Sequence, residues 1–120
     1  MKIVSLSDLL DQPSIHNPEI SKKILLNSGD APHIKAVGQV TFTPGQVIPA
    51  HAHDDMHEIF MIRSGSGVIR INGAEHTLTS GSCTVVQPNE QHEVENTGSE
   101  PMLLIYFQIP IVATGSELTG

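Results

Sequence analysis

The stretch Gly45-Gln46-Val47-Ile48-Pro49-Ala50-His51-Ala52-His53-Asp54-Asp55-Met56-His57-Glu58 decides how this chain is read. Along an extended backbone, residues i and i+2 point to one face, about 6–7 Å apart. His51 and His53 therefore lean side by side. Two imidazoles so placed can converge on one metal ion at about 2.0–2.2 Å each. Pro49 stiffens the approach and suits the start of a strand. Residues 54–57 can turn the chain over, and Glu58 then opens the next strand with an oxygen directed at the same point. A fourth donor has to come from elsewhere, and His92 is the candidate. It comes after the turn Pro88-Asn89-Glu90-Gln91 and opens a strand on which His92, Val94 and Asn96 share one face.

Working outward, the chain is a series of short strands parted by turn residues. Strand patterns occupy 23–26, 33–43, 58–62, 68–71, 75–78, 83–86, 93–96 and 102–109. Asn72-Gly73 between two of them is a two-residue hairpin signal, because both turn positions need positive φ. Strand signals recurring about every ten residues, with turn chemistry between, predict an all-β sandwich or barrel. Residues 5–11 suit one short helical turn with Ser7 as its N-cap, and Pro13 and Pro18 break the chain beyond it. The pattern divides the chain into an N-terminal extension over 1–30, a barrel over 31–112 and a loose polar tail over 113–120.

Composition bounds the function. The chain has 120 residues, one domain's worth. At 38% hydrophobic and 16% charged it is globular rather than disordered. Thirteen acidic residues against six basic ones, a net charge of −7, weigh against nucleic acid and anionic membranes as partners. No apolar run is long enough to span a bilayer. The N-terminus shows no signal-peptide pattern, and the single cysteine, Cys83, fits a reducing cytoplasm. Seven histidines are the outlying number.

With those residues in view, the chain resembles the cupins, small β-barrels of the jelly-roll type. Their first motif, G-x5-H-x-H-x3,4-E-x6-G, reads here as Gly45, His51, His53, Glu58 and Gly65. Their second, G-x5-P-x-G-x2-H-x3-N, reads as Gly81, Gln87, Asn89, His92 and Asn96, with Gln87 in place of proline and Asn89 in place of glycine. Asn tolerates a left-handed turn, so the second departure is mild. The resemblance implies a jelly-roll barrel with His51, His53, Glu58 and His92 as metal ligands. Three imidazoles and a carboxylate suit one divalent transition metal per chain: Fe, Mn, Ni, Cu or Zn. It also implies a small-molecule ligand and a homodimer, often formed by N-terminal strand exchange, for which residues 20–28 are apolar enough. Light scattering at the 12.9 kDa of one chain would contradict the dimer.

Among the activities this resemblance implies, a dioxygenase-type reaction on a small oxygenated substrate is the leading expectation. A metal-dependent isomerase or lyase acting on a sugar or hydroxy-carbonyl compound is the alternative, and a non-catalytic binding module is a third. An isomerase needs a base, and His57 is the candidate catalytic residue, although alternation sends it to the face opposite Glu58. Phe60 and Ile62 share Glu58's face and line the pocket floor. Tyr106 and Gln108 on the last strand are candidates to face the ligand, as are Gln46 and Gln87. His16, His33 and His76 read as solvated, and Cys83 as a small buried hydrophobe. Cations near the motifs are few, with Arg63 on the face opposite Glu58, which weighs against a phosphorylated substrate.

Overall fold

Alternation along the strands sets the layers. In the computed structural model, which describes residues 1–111, ten strands form two antiparallel sheets. The strands are β1 (Gln12–Pro13), β2 (Ser21–Leu26), β3 (Ala36–Phe42), β4 (Val47–His51), β5 (Met56–Ser64), β6 (Gly67–Ile71), β7 (Ala74–Leu78), β8 (Cys83–Val86), β9 (His92–Glu95) and β10 (Met102–Pro110). One sheet has the order β1-β2-β3-β10-β5-β8 and the other β4-β9-β6-β7. On β10, buried Met102, Leu104 and Tyr106 alternate with half-buried Leu103, Ile105 and Phe107. On β5, Met56, Glu58, Phe60 and Ile62 point the same way, inward.

The core is what these inner faces share. Phe42, Phe60, Ile62, Met102 and Leu104 of the larger sheet pack with Ile69, Leu78 and Val94 of the smaller one. Each fully buried side chain of this kind contributes about 1.5–3 kcal/mol. Ile20, just before β2, is also fully buried, and β2 pairs with β3 of its own chain. The N-terminal segment is thus packed into the same sheet and core as the motifs. The tail expected over 113–120 lies outside the described residues. Among the described residues, no helix is long and apolar enough to cross a membrane.

Turn chemistry agrees with the sequence. Asn72 (φ 49°) and Gly73 (φ 84°) close the β6–β7 hairpin. Gly65, at the end of the first motif, has φ 84°, and a Cβ there would strike the Pro101 carbonyl. Asn89 takes the left-handed turn at φ 68°. Gln87 uses the backbone N–H that a proline would lack, donating it to Glu90 Oε1 at 2.7 Å.

Two local expectations are corrected. The N-terminal turn is a 3-10 turn over Leu6–Asp8, so Ser7 lies inside it; Ser5 precedes it and makes no side-chain cap. Cys83 is exposed, because β8 is an edge strand and Cys83 pairs with Met61 on the outer face.

Asn96 joins the ends of both motifs. It is fully buried. Its Nδ2 donates to the carbonyls of Phe42 (3.0 Å) and Glu100 (2.9 Å), and its Oδ1 accepts the Gly98 N–H at 2.9 Å. Its backbone N–H donates to the Gln46 carbonyl, and its own carbonyl accepts the Gly45 N–H. Asn96→Ala removes three buried hydrogen bonds to backbone groups and should lower the unfolding free energy by about 2–4 kcal/mol. Urea denaturation checks this, and a loss within about 0.5 kcal/mol, typical of a neutral surface change, would contradict it.

Candidate metal centre

Backbone register brings the four motif side chains together. His51 ends β4 and pairs directly with His92, the first residue of β9, after a bulge beyond Ile48. Their ring centroids are 4.2 Å apart. His53 lies just past the strand end, where the Asn89 N–H donates to its carbonyl at 2.7 Å. Glu58 comes from the other sheet, on β5. One ligand atom from each of His51, His53, Glu58 and His92 lies within 4.8 Å of all the others.

The surroundings aim these atoms. His51 Nδ1 is 2.8 Å from the Pro49 carbonyl, and His92 Nδ1 is 3.0 Å from the Glu90 carbonyl. A carbonyl only accepts, so each Nδ1 carries the proton and each Nε2 keeps a lone pair for the centre. Gln108 donates from Nε2 to Glu58 Oε2 at 3.3 Å, which leaves Oε1 to face the imidazoles. Such flanking bonds fix ring and carboxylate orientation in metal sites.

The donor set fits a divalent cation. Glu58 Oε1 lies 3.2 Å from both His53 Nε2 and His92 Nε2. Yet Oε1 and His92 Nε2, both buried, make no aligned hydrogen bond. Leaving two buried polar atoms unsatisfied costs about 1–3 kcal/mol each. A cation about 2.0–2.2 Å from each donor would satisfy both and would hold adjacent donors near the spacing seen. Three nitrogens and one oxygen of borderline softness admit several metals.

Electrostatics agree with that use at His51 and Glu58. Burial lowers His51 to about 4, against the partial support of the Pro49 carbonyl, so its ring is neutral at neutral pH. Burial would raise Glu58, but His92, Gln108 and His53 together hold it below the ordinary carboxylate value. Burial pushes His92 toward neutrality while the Glu58 carboxylate and the Glu90 carbonyl pull the other way, and the net shift is upward.

The four donors line a cavity of about 620 Å³. Phe60, Tyr106 and Gln108 line it as well. Burial and the charge of Glu58 raise the Tyr106 phenol, so it stands as a donor.

Four residues expected at the site lie elsewhere. Ile62 faces inward but deeper, in the core. Gln46 bonds the Thr43 N–H and the Glu19 carbonyl, and Gln87 is exposed at a turn. His57 points away from the cavity, on the opposite face of β5 from Glu58.

Three residues of the cavity wall carry no signal in the sequence: His16, Lys22 and Lys35. His16 reads as solvated, and it is exposed, but its ring also stacks on His51 with centroids 3.8 Å apart. Asn17 Nδ2 to the Val47 carbonyl and Gln46 Nε2 to the Glu19 carbonyl tie that segment to β4. No periodic pattern in residues 14–20 announces this; only the hydrogen-bonding residues Asn17 and Gln46 hint at it.

Gln108→Leu removes the donor that orients Glu58 and keeps a side chain of similar size. Metal affinity should fall by roughly 10- to 100-fold with the fold retained. Competition against a chelating indicator measures this, and unchanged affinity would show that Gln108 does not orient the carboxylate.

Comparison with known proteins agrees with this fold. The family model for the cupin domain matches residues 38–108. Among curated relatives, the tetracenomycin polyketide synthase protein TcmJ of Streptomyces glaucescens is 30% identical over 82 residues, 68% of this chain and 54% of that protein. The oxalate-binding protein of Thermotoga maritima is 33% identical over 76 residues, 62% of this chain and 63% of that protein. The match thus spans less than two-thirds of either relative. A solved structure described as a predicted oxalate decarboxylase from Thermotoga maritima superposes with a TM-score of 0.84, at 21% identity, over 92% of this chain and all of that one. An RmlC-like cupin from Shewanella frigidimarina superposes at 0.75, with 17% identity, over 92% of each chain. At these identities the two structures share the fold. With the family model covering more than half its length and both motifs in register, the chain belongs to the cupin family.

Proposed function

We propose that this cupin is a metal-dependent enzyme of the dioxygenase type, acting on a small oxygenated substrate held against a divalent metal. The observation that carries this is the convergence of His51, His53, Glu58 and His92 on the wall of a cavity large enough for a ligand. A redox-active metal held there would supply Lewis acidity and access to O2. The chain's own residues hold, orient and shield. Gln108 fixes the carboxylate. Phe60, Val94 and Leu104 give the cavity an apolar stretch of wall against which a ligand's body packs. The Tyr106 phenol, kept protonated, donates to an oxygen of the ligand.

The isomerase or lyase alternative is less well supported, because His57, its candidate base, faces away from the cavity. Plain metal-dependent binding is the second reading, supported by the relative named for binding oxalate. A homodimer is supported by the outer face of the larger sheet, where Met61 and Val85 are exposed beside half-buried Ile59, Ile105 and Phe107. A cytoplasmic setting is supported by the lone Cys83.

Oxygen uptake tests the proposal. The protein is loaded with Fe(II), Mn(II) or Cu(II) and offered catechols, diketones and enols. Saturable uptake with one metal and one substrate class, lost in Glu58→Gln, is the expected result. Binding of the same compounds with no uptake under any metal would leave the binding module instead.

A further inference from the structure

The chain has six Lys and Arg residues against thirteen Asp and Glu, so a cation without an acidic neighbour stands out. Lys2 pairs with Asp30. Lys23 donates its ammonium to the Leu6 carbonyl at 3.0 Å, and Arg63 donates to Gln39 Oε1 at 3.0 Å. Arg70 is held by Glu75, Glu93 and Glu95. That leaves Lys22 and Lys35. Among the described residues neither ammonium makes an ion pair or a hydrogen bond, and both line the cavity that holds the metal centre.

Place in the fold separates Lys22 from Glu58, whereas Lys35 lies nearer, its backbone N–H donating to the carbonyl of Gln108 at 2.8 Å. Lys22 is on β2, where it pairs with buried Val40 of β3 and so faces inward. Lys35 immediately precedes β3. The carboxylates of the cavity wall, Glu58 and Asp55, are on β5 and in the loop before it. In the sheet order β2 is three strands from β5, roughly 14 Å along the sheet at about 4.8 Å per spacing. Apolar Val40 and Leu104 line the wall between. The cavity of about 620 Å³ falls within the range of about 300–1,000 Å³ that accommodates drug-sized ligands. A two-carbon oxygen donor would fill one end of it.

We infer that the substrate carries a carboxylate besides its metal-chelating oxygens, joined to them by an apolar body, that Lys22 holds that carboxylate, and that exposed Lys35 adds to the positive field that draws it in. This rests on the metal-dependent reading above. The two lysines act as specificity and positioning residues: they select the anionic substrate and set its approach to the metal centre. In a chain of net charge −7 they are also the attractive feature for an anion that the overall field repels. Ammonium groups, with no arginine on the wall, suit a single carboxylate held as a point charge.

The test uses the full chain loaded with Zn(II) and, separately, stripped of metal. The probes are caffeic acid, a catechol with a carboxylate on a short arm, and its methyl ester, measured by isothermal titration calorimetry. The acid should bind about tenfold tighter than the ester, and salt should shrink the difference. Lys22→Met/Lys35→Met should remove the preference while leaving the ester's affinity unchanged, which also shows that the variant is folded. Equal affinities in the unaltered protein, or a preference that survives in the double variant, would overturn the inference. If stripping the metal weakens both probes but the acid is never preferred, the metal reading stands and the carboxylate inference falls. If the acid is preferred through the lysines but stripping changes neither affinity, the carboxylate inference stands and the metal reading falls. If neither probe binds the loaded protein, both fall.

Discussion

A carboxylate and three imidazoles meet inside a barrel whose walls are otherwise largely apolar, and the architecture is arranged around that meeting. A buried ionised carboxylate without a counter-charge is costly. Glu58, only 6% exposed, meets that cost through His53, His92 and Gln108. The compensation is incomplete: Oε1 and His92 Nε2 still lack aligned partners, and a cation held between the donors would complete it. The imidazoles do not choose their own orientation. Pro49 and Glu90 carbonyls hold two of the rings by Nδ1, so the backbone turns before β9 and within β4 set the direction of the donor atoms.

Holding donors from two sheets at one point requires the sheets to be fixed relative to each other. Asn96 does this at the far end of the motifs, joining β9, the chain after β3 and the loop before β10 through one buried amide. At the same end, where Asn96 bonds the Gln46 backbone, Asn17 and Gln46 join the N-terminal segment to the start of β4. The same bonds that stabilise the barrel therefore also place His16 against His51 and set β2, with Lys22, in the cavity wall.

The four clustered side chains of the candidate centre are legible in the sequence because their placement is local. The i, i+2 relation carries His51 and His53, alternation carries His92 with Asn96, and Asn72-Gly73 announces its own hairpin. Residues whose roles depend on distant partners are not legible. Lys22 and Lys35 enter the cavity because β2 pairs with β3 and β3 with β10, pairings that no pattern in residues 20–36 encodes. Gln46 reads as a pocket residue for the same reason: its partner, Glu19, is 27 residues away. Cys83 reads as buried because its β-branched neighbours suggest an interior strand, whereas its exposure comes from β8 being the last strand of its sheet.

Whether His51, His53, Glu58 and His92 hold one divalent metal is tested most directly by elemental analysis. Inductively coupled plasma mass spectrometry is applied to protein purified without an affinity tag or chelator and to a His51→Ala/His53→Ala variant prepared in parallel. About one transition-metal ion per chain is predicted in the first and background in the second. Equal metal content in both, or background in both after offering Fe, Mn, Ni, Cu and Zn, would contradict the four-donor centre.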